Sequence, residues 1–219
     1  MTRSSSPRRL SALLTLGLCA LASPPAISTP LPTAAPTQAP TSAPRSVQNP
    51  VPAADTVQRM DTTLSEAEVI EAQLGWCNAL LGISRAYRSN GDKAARAAAI
   101  SALDQAYGYA YGAVAFKPTL TSGTQTFRPT KAGALAYFVG GDPAYPLDKG
   151  FAIKPWTSCN VRNQVIQRHG QFAITMGNVD LIDSSGKLTT VDKTWGFLRE
   201  PDGQIRIVLH HSSLPYKTP

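Results

Sequence analysis

The apolar positions after residue 62 first follow the repeat of an α-helix. Four of them recur every three or four residues, which is typical of the buried face of a helix: Ile70, Leu74, Cys77 and Leu81. Thr63 and Glu66 have the spacing of a capping box, and Gly91 is a typical helix end. The pattern predicts one helix over residues 63–89 and a second, alanine-rich helix over residues 92–107.

The pattern then changes to short segments and alternation. The stretches "GAVAFKPTL" and "GTQTFRPT" predict two short strands or a hairpin, and "TKAGALAYFVGG" predicts a short helix. Four strands separated by hairpin turns follow: 157–168, 171–182, 188–198 and 205–213. Helices followed by an antiparallel meander indicate an α+β domain. We expect a cone, with the long helix lying in the concave face of a curved sheet.

The first 60 residues differ in composition from the rest. Basic residues precede a short apolar run, "LSALLTLGLCALA", which is the layout of a secretory signal and is too short to span a bilayer. Residues 1–22 are therefore predicted to be a signal peptide, and residues 23–60 a Pro/Ala/Thr-rich flexible linker. Residues 61–219 are predicted to form one domain. We expect a periplasmic or secreted protein without a membrane span.

Charge and cysteine content exclude few classes of function. Without the three arginines of the predicted signal, the formal net charge falls from +7 to +4. No cluster of basic residues is interleaved with aromatic residues, so nucleic-acid binding is not indicated. Cys77 and Cys159 remain in the domain. Export permits a disulfide between them, although Cys77 on a helical apolar stripe favours a buried thiol.

The residues available for catalysis do not form a known metal or nucleophile motif. The chain has three histidines: His169 at a turn, and His210 and His211 side by side in the last strand. Adjacent strand residues point to opposite faces, so the three cannot easily bind one ion, and no metal site is predicted. Ser212 and Ser213 could belong to a Ser-His-Asp triad, but no Gly-x-Ser-x-Gly turn supports this.

The last strand ends in "LHHSSLP", which offers two opposite polar faces. His210 shares one face with Ser212, and His211 shares the other with Ser213. Ile205, Ile207 and Leu209 alternate in phase with His211, so the hydrophobic pattern favours His211 as the buried histidine. A polar strand end in contact with solvent is the alternative to a site.

Several stretches together resemble the iota-class carbonic anhydrases: "AFKPTL", "QTFRPTKAGALAYFVGGD", "GFAIKPW", "AITMGNV", "TTVDKTWGF" and "RIVLHHSSLPY". The resemblance covers about residues 62 to 217. It implies an exported bacterial protein with the nuclear transport factor 2-like cone, related to the association domain of calcium/calmodulin-dependent kinase II. It also implies a homodimer formed through the sheet.

The resemblance also implies a reaction and a site. The reaction is the reversible hydration of CO2 to bicarbonate and a proton. Thr119, Tyr137 and Ser212 would bind bicarbonate, and Tyr137, His210 and Ser212 would be catalytic. His210 then faces the pocket, against the hydrophobic pattern, and a dimer partner would cover the apolar face. The family implies no obligatory cofactor, with zinc or manganese as an alternative.

Two other functions use the same fold, because a fold does not determine a function. One is a non-catalytic module that binds a small molecule, and the other is an oligomerising module. Either predicts the absence of CO2 hydration, so the enzyme assay separates them from a carbonic anhydrase.

Overall fold

The computed structural model describes residues 62–218. The predicted signal peptide (1–22) and linker (23–60) lie outside these residues and stay predictions. Two helices and five strands follow one another in this order: α1 (Glu66–Ala106), β1 (Ala115–Lys117), α2 (Lys131–Val139), β2 (Trp156–His169), β3 (Phe172–Asp183), β4 (Leu188–Arg199) and β5 (Ile205–Ser213). The predicted α+β fold class is confirmed.

Helix α1 contains both predicted helices, joined at a sharp kink. Gly91 lies at the kink with φ 70° and ψ −162°, a conformation that side chains larger than glycine adopt at a cost. The helix starts later than predicted, because the capping box is formed by Ser65 and Glu68 and not by Thr63 and Glu66. No helix within residues 62–218 is long and apolar enough to cross a membrane.

The sheet has the strand order β1-β5-β4-β3-β2. Strands β2 to β5 form the predicted antiparallel meander, with ends within one residue of the prediction, whereas β1 pairs in parallel with β5. The predicted second strand in "GTQTFRPT" is wrong, since a 3-10 turn at Gly123–Gln125 takes its place. Arg128 N bonds Phe116 O, but the next residue is Pro129, which has no N–H to extend a ladder.

The first half of α1 packs on the inner face of the sheet and closes the core. Its side chains Trp76 and Leu80 are buried with Trp195 and Phe197 of β4. A disulfide joins Cys77 of α1 to Cys159 of β2, with a Cα–Cα distance of 5.6 Å. The sequence favoured a free thiol at Cys77, but the strand β2 passes directly beside this turn of the helix.

Candidate active site

A β-bulge in β5 decides which histidine points into the core. Gly196 pairs with Leu209 and Phe197 pairs with Ile207, so Val208 has no partner in β4. The extra residue changes the phase of the strand. Ile207 and His210 therefore both lie on the inner face, with His210 2% exposed. His211 is exposed on the outer face, and the hydrophobic pattern that favoured His211 as the buried histidine was wrong for this reason.

Ser212 lies two residues beyond His210, on the same inner face, and meets Thr119, which follows the end of β1 by two residues. The Thr119 hydroxyl donates a hydrogen bond to the Ser212 hydroxyl over 2.7 Å. Thr119 reaches this position because β1 runs parallel to the end of β5, with Phe116 beside His210, and Pro118 then turns the chain. The structure thus brings two of the predicted bicarbonate-binding hydroxyls into direct contact.

Helix α2 brings Tyr137 to the same place. The helix begins at the N-cap Thr130 and ends at Gly140, whose φ is 70°. Tyr137 stacks on Phe151 with ring centroids 5.5 Å apart, and its carbonyl accepts a hydrogen bond from Phe151 N. A buried ion pair between Arg128 and Asp148 holds the surrounding loops together.

The Tyr137 hydroxyl is buried and has no hydrogen-bond partner of ordinary geometry within residues 62–218. Burial raises the pKa of Tyr137, and the polar groups of Thr119 and the backbone of Leu120 oppose this rise. These groups are therefore close to the hydroxyl although they are not aligned to bond it. A buried polar group without a partner is costly, and such groups are often found where a ligand binds.

Both ring nitrogens of His210 are engaged by protein groups. Nδ1 is 2.8 Å from the Tyr107 hydroxyl, which also accepts a hydrogen bond from Trp76 Nε1 over 2.9 Å. Nε2 is 2.7 Å from Nζ of Lys193. Burial, with contributions from Lys193 and His211, lowers the pKa of His210 well below its usual range. The imidazole is therefore uncharged at neutral pH.

Lys193 belongs to the site and was missed by the sequence analysis. Its side chain is buried, and its ammonium position lies 4.7 Å from the ring centre of Trp76 and 5.3 Å from that of Trp195. Burial, with the charge of Lys117, lowers the pKa of Lys193 to about 7. The sequence did contain an indication that Lys193 is buried. Lys193 lies two residues from both Val191 and Trp195 in β4, so it shares their buried face of the strand.

The charge around the hydroxyls is positive. Lys117 Nζ donates to the Ser212 carbonyl over 2.8 Å, and Lys193 faces Ser212 across the β4–β5 pair. Neither lysine belongs to an ion pair within the described residues. Such an environment favours a small anion over a cation.

The metal ligands considered from the sequence stay apart. His169 is the last residue of β2, at the hairpin turn to β3, whereas His210 and His211 lie in β5. No group of three His, Cys, Asp or Glu side chains in residues 62–218 is arranged to hold a metal ion.

One cavity gives access to Tyr137. Its volume is about 240 Å³, and Leu120, Phe151 and Lys154 are among its lining residues. A larger depression of about 660 Å³ lies beside the C-terminal end of α2 but touches none of the four predicted site residues. We regard the smaller cavity as the approach to the site because Tyr137 itself forms part of its wall.

The fold is the α+β arrangement of a long helix on a largely antiparallel sheet that the sequence predicted. A nuclear transport factor 2-like superfamily protein from Salmonella enterica subsp. enterica serovar Typhimurium str. LT2 is 16% identical, with a TM-score of 0.40 over 70% of this chain and 92% of its own. The family model for metal-independent carbonic anhydrase matches residues 67–214. The chain belongs to this family.

Two relatives give the degree of similarity within the family. A metal-independent carbonic anhydrase of Nostoc sp. strain PCC 7120 is 51% identical over 158 residues, which are 72% of this chain and 77% of the relative. A crystal structure of the iota-carbonic anhydrase from a cyanobacterium, complexed with bicarbonate, is 49% identical with a TM-score of 0.72. The match covers 74% of this chain and 99% of that structure. The resemblance to iota-class carbonic anhydrases is confirmed.

Proposed function

We propose that this chain catalyses the reversible hydration of CO2 to bicarbonate and a proton, in the pocket formed by Thr119, Tyr137, His210 and Ser212. One observation carries the assignment of the pocket: three hydroxyl-bearing side chains from the turn after β1, from α2 and from β5 converge beside a buried histidine. Membership of the metal-independent carbonic anhydrase family supports the reaction.

The three hydroxyls suit the product of hydration. Bicarbonate is planar and presents three oxygens, and each hydroxyl can donate or accept a hydrogen bond. Tyr137 has a hydroxyl free to bond, whereas Thr119 and Ser212 bond each other. In our proposal bicarbonate replaces the bond between Thr119 and Ser212 with two bonds to its own oxygens. The positive charge of Lys117, which bonds the Ser212 carbonyl, then offsets the charge of the bound anion.

Hydration also requires a group that removes a proton from water. Tyr137, His210 and Ser212 are proposed to act in this step, with His210 linked into a network. Because both nitrogens of His210 already have partners, the imidazole acts together with those partners and not as an isolated base.

Variants of the last strand test the site. His210→Ala and Ser212→Ala should each reduce CO2 hydration by about a hundredfold or more, as for loss of a positioned acid–base or binding group. His211→Ala is the matched control, since its side chain lies on the outer face, and it should retain turnover per folded molecule. Stopped-flow hydration assays and melting temperatures would be measured for all three. Full activity of His210→Ala together with loss in His211→Ala would contradict the proposal.

We further propose that the reaction needs no metal, which the description of the family supports. Dialysis against a strong chelator should leave most of the hydration rate intact. Loss of activity that stoichiometric zinc or manganese restores would establish the alternative cofactor expected from the sequence.

Two further proposals concern the whole chain. Export to the periplasm or medium predicts that the native protein begins soon after residue 22, and an intact Met1 on protein from the cytoplasm would contradict it. A homodimer through the outer face of the sheet follows from the family resemblance. The alternative function, a non-catalytic module that binds a small molecule or oligomerises, would show no hydration in the stopped-flow assay.

A further inference from the structure

Among the nitrogens around His210, Nζ of Lys193 is the one that can still accept a proton. The two nitrogens of His210 are occupied by Tyr107 and Lys193, and Trp76 Nε1 is a donor only. Within residues 62–218, Nζ of Lys193 hydrogen-bonds to His210 Nε2. An uncharged amine in this position keeps its lone pair available to accept a proton.

A structural role explains this lysine poorly. The residue is 4% exposed, and no carboxylate forms an ion pair with it among the described residues. Burial of a charge without a partner is strongly unfavourable, and an apolar side chain of similar size would stabilise the fold better. The neighbouring rings of Trp76 and Trp195 would pack equally well against methionine.

The position of Lys193 in the sheet connects it to the substrate. Its Cα is paired with that of Ser212 across β4 and β5, so the two side chains start from the same inner face. Nζ then extends toward His210, whose Cα pairs with Trp195. The amine therefore lies next to His210, on the inner face that also carries Ser212.

We propose that Lys193 is the proton acceptor of the hydration reaction and that His210 positions it; this rests on the proposed function and adds a residue to it. The oxygen of water forms a bond to the carbon of CO2, and one C=O electron pair moves onto oxygen. The O–H bond of water breaks, and its proton passes to the uncharged amine of Lys193. The products are bicarbonate and an ammonium group, which then releases the proton to solvent.

The surroundings of Lys193 leave a large share of the amine uncharged near neutral pH. The groups that face it are His210 from β5, Trp76 from α1 and Lys117 from β1, and none of them is a carboxylate. Burial and the charge of Lys117 bring the pKa of Lys193 to about 7. A base is most effective when its pKa lies near the working pH.

His210, Tyr107 and Trp76 hold the amine in place. Trp76 donates to the Tyr107 oxygen, and burial raises the pKa of Tyr107 so that the phenol stays neutral. When Nδ1–H of His210 donates to the Tyr107 oxygen, Nε2 is an acceptor for Lys193 in both of its charge states. His210 is in this sense a positioning residue for the lysine.

The test is the pH dependence of hydration in Lys193→Met. The wild-type rate should rise with pH through one ionisation near pH 7, because hydration needs the uncharged amine. Lys193→Met should lose about a hundredfold, and its residual rate should lack this ionisation. Imidazole or methylamine added to Lys193→Ala should restore part of the rate. Lys187→Met, in the exposed hairpin turn before β4, is the matched control and should keep both the rate and the ionisation.

A second measurement covers the case in which the variants fail to fold. In wild-type protein labelled at the lysine ε-carbon, NMR should show one lysine that titrates near pH 7. The proposal is overturned if no lysine titrates below about pH 9, or if Lys193→Met keeps the wild-type rate and pH profile. A wild-type protein without any CO2 hydration would instead overturn the proposed function itself.

Discussion

At the scale of single residues, removal of the Tyr137 hydroxyl should affect CO2 hydration and the stability of the fold in opposite directions. It is buried without a hydrogen-bond partner among the described residues, so Tyr137→Phe removes an unsatisfied group and almost no volume. We expect the melting temperature to stay the same or rise slightly, because the buried hydroxyl costs about 1 kcal/mol or more. CO2 hydration should fall, since one of the three hydroxyls proposed to bind bicarbonate is lost.

Tyr109→Phe is the control for this prediction. The Tyr109 hydroxyl donates to the carbonyl of Arg128 over 3.0 Å, so its removal should destabilise the fold by about 1 kcal/mol and leave turnover unchanged. If Tyr137→Phe lowers stability as much as Tyr109→Phe and leaves activity intact, the Tyr137 hydroxyl has a structural role only.

Lys193 makes a separate prediction for stability. Its pKa is lowered in the folded protein from 10.5 to about 7, so between these values the unfolded chain binds a proton that the folded chain does not. Stability therefore rises with pH across this window, and the full penalty of burial is present below pH 7. Lys193→Met should melt higher than wild type near pH 6, by a difference that shrinks toward pH 10.

Thermal melts of both proteins over this pH range check the prediction. Groups common to wild type and variant largely cancel in the difference, which isolates Lys193. A difference that stays flat with pH would mean that the folded protein holds Lys193 in its ordinary charged state.

The hydroxyl-bearing residues of the candidate site could be predicted from the sequence, but the hydrogen-bond partners of His210 could not. Thr119, Tyr137 and Ser212 could be named from the family resemblance, because they lie in recognisable stretches. Lys193 lies in the recognisable stretch "TTVDKTWGF", yet a lysine in a strand is usually exposed. Tyr107 lies outside the recognisable stretches, and a tyrosine at a helix end has no fixed partner. Both residues act through hydrogen bonds to His210, which is 103 positions from Tyr107 and 17 positions from Lys193 in the sequence.

At the scale of elements, the disulfide between α1 and β2 is the feature with the largest expected effect. It closes a loop with a sequence separation of 82 residues, and removal of such a bridge typically costs 2–5 kcal/mol. Cys77→Ala/Cys159→Ala should therefore melt well below the wild type, while turnover per folded molecule stays near normal because neither residue contacts the hydroxyl pocket.

The reducing agent dithiothreitol provides the control. It should lower the melting temperature of the wild type toward that of the double variant and leave the double variant unchanged. An equal effect of dithiothreitol on both proteins would show that the bridge does not support the fold in solution.

Most elements could be predicted because their periodicity is strong and local. The four long strands each combine alternation with a turn at the end, and their limits were predicted within one residue. The parallel pairing of β1 with β5 was not predictable, since it joins residues about 95 positions apart. The bulge at Val208 was hidden as well, because an unpaired residue leaves the alternation of letters in its own strand unchanged.

At the scale of the whole molecule, the outer face of the sheet carries the proposed dimer contact. Four neighbouring positions form a row across it: Val165, Met176, Thr194 and His211. Met176 is 58% exposed and Val165 is 45% exposed, and apolar side chains side by side in the middle of a sheet favour contact with a second sheet.

Met176→Asp should therefore shift the protein from dimer to monomer. A charge in the centre of an apolar contact would be desolvated without a partner, which weakens association strongly. Sedimentation velocity measures the change. Phe127→Asp, at an exposed apolar residue outside the sheet, should leave the oligomeric state unchanged, and a monomeric wild type would contradict the prediction.

The bulge at Val208 also divides β5 into two parts with different functions. Before it, Ile205 and Ile207 contribute to the core; after it, His210 and Ser212 are buried on the inner face, at the proposed site. Substitutions that improve packing in the first part need not disturb the geometry of the second. This modularity makes β5 a convenient place for redesign, because the polar segment could be altered for another small anion while the segment that stabilises the cone is kept.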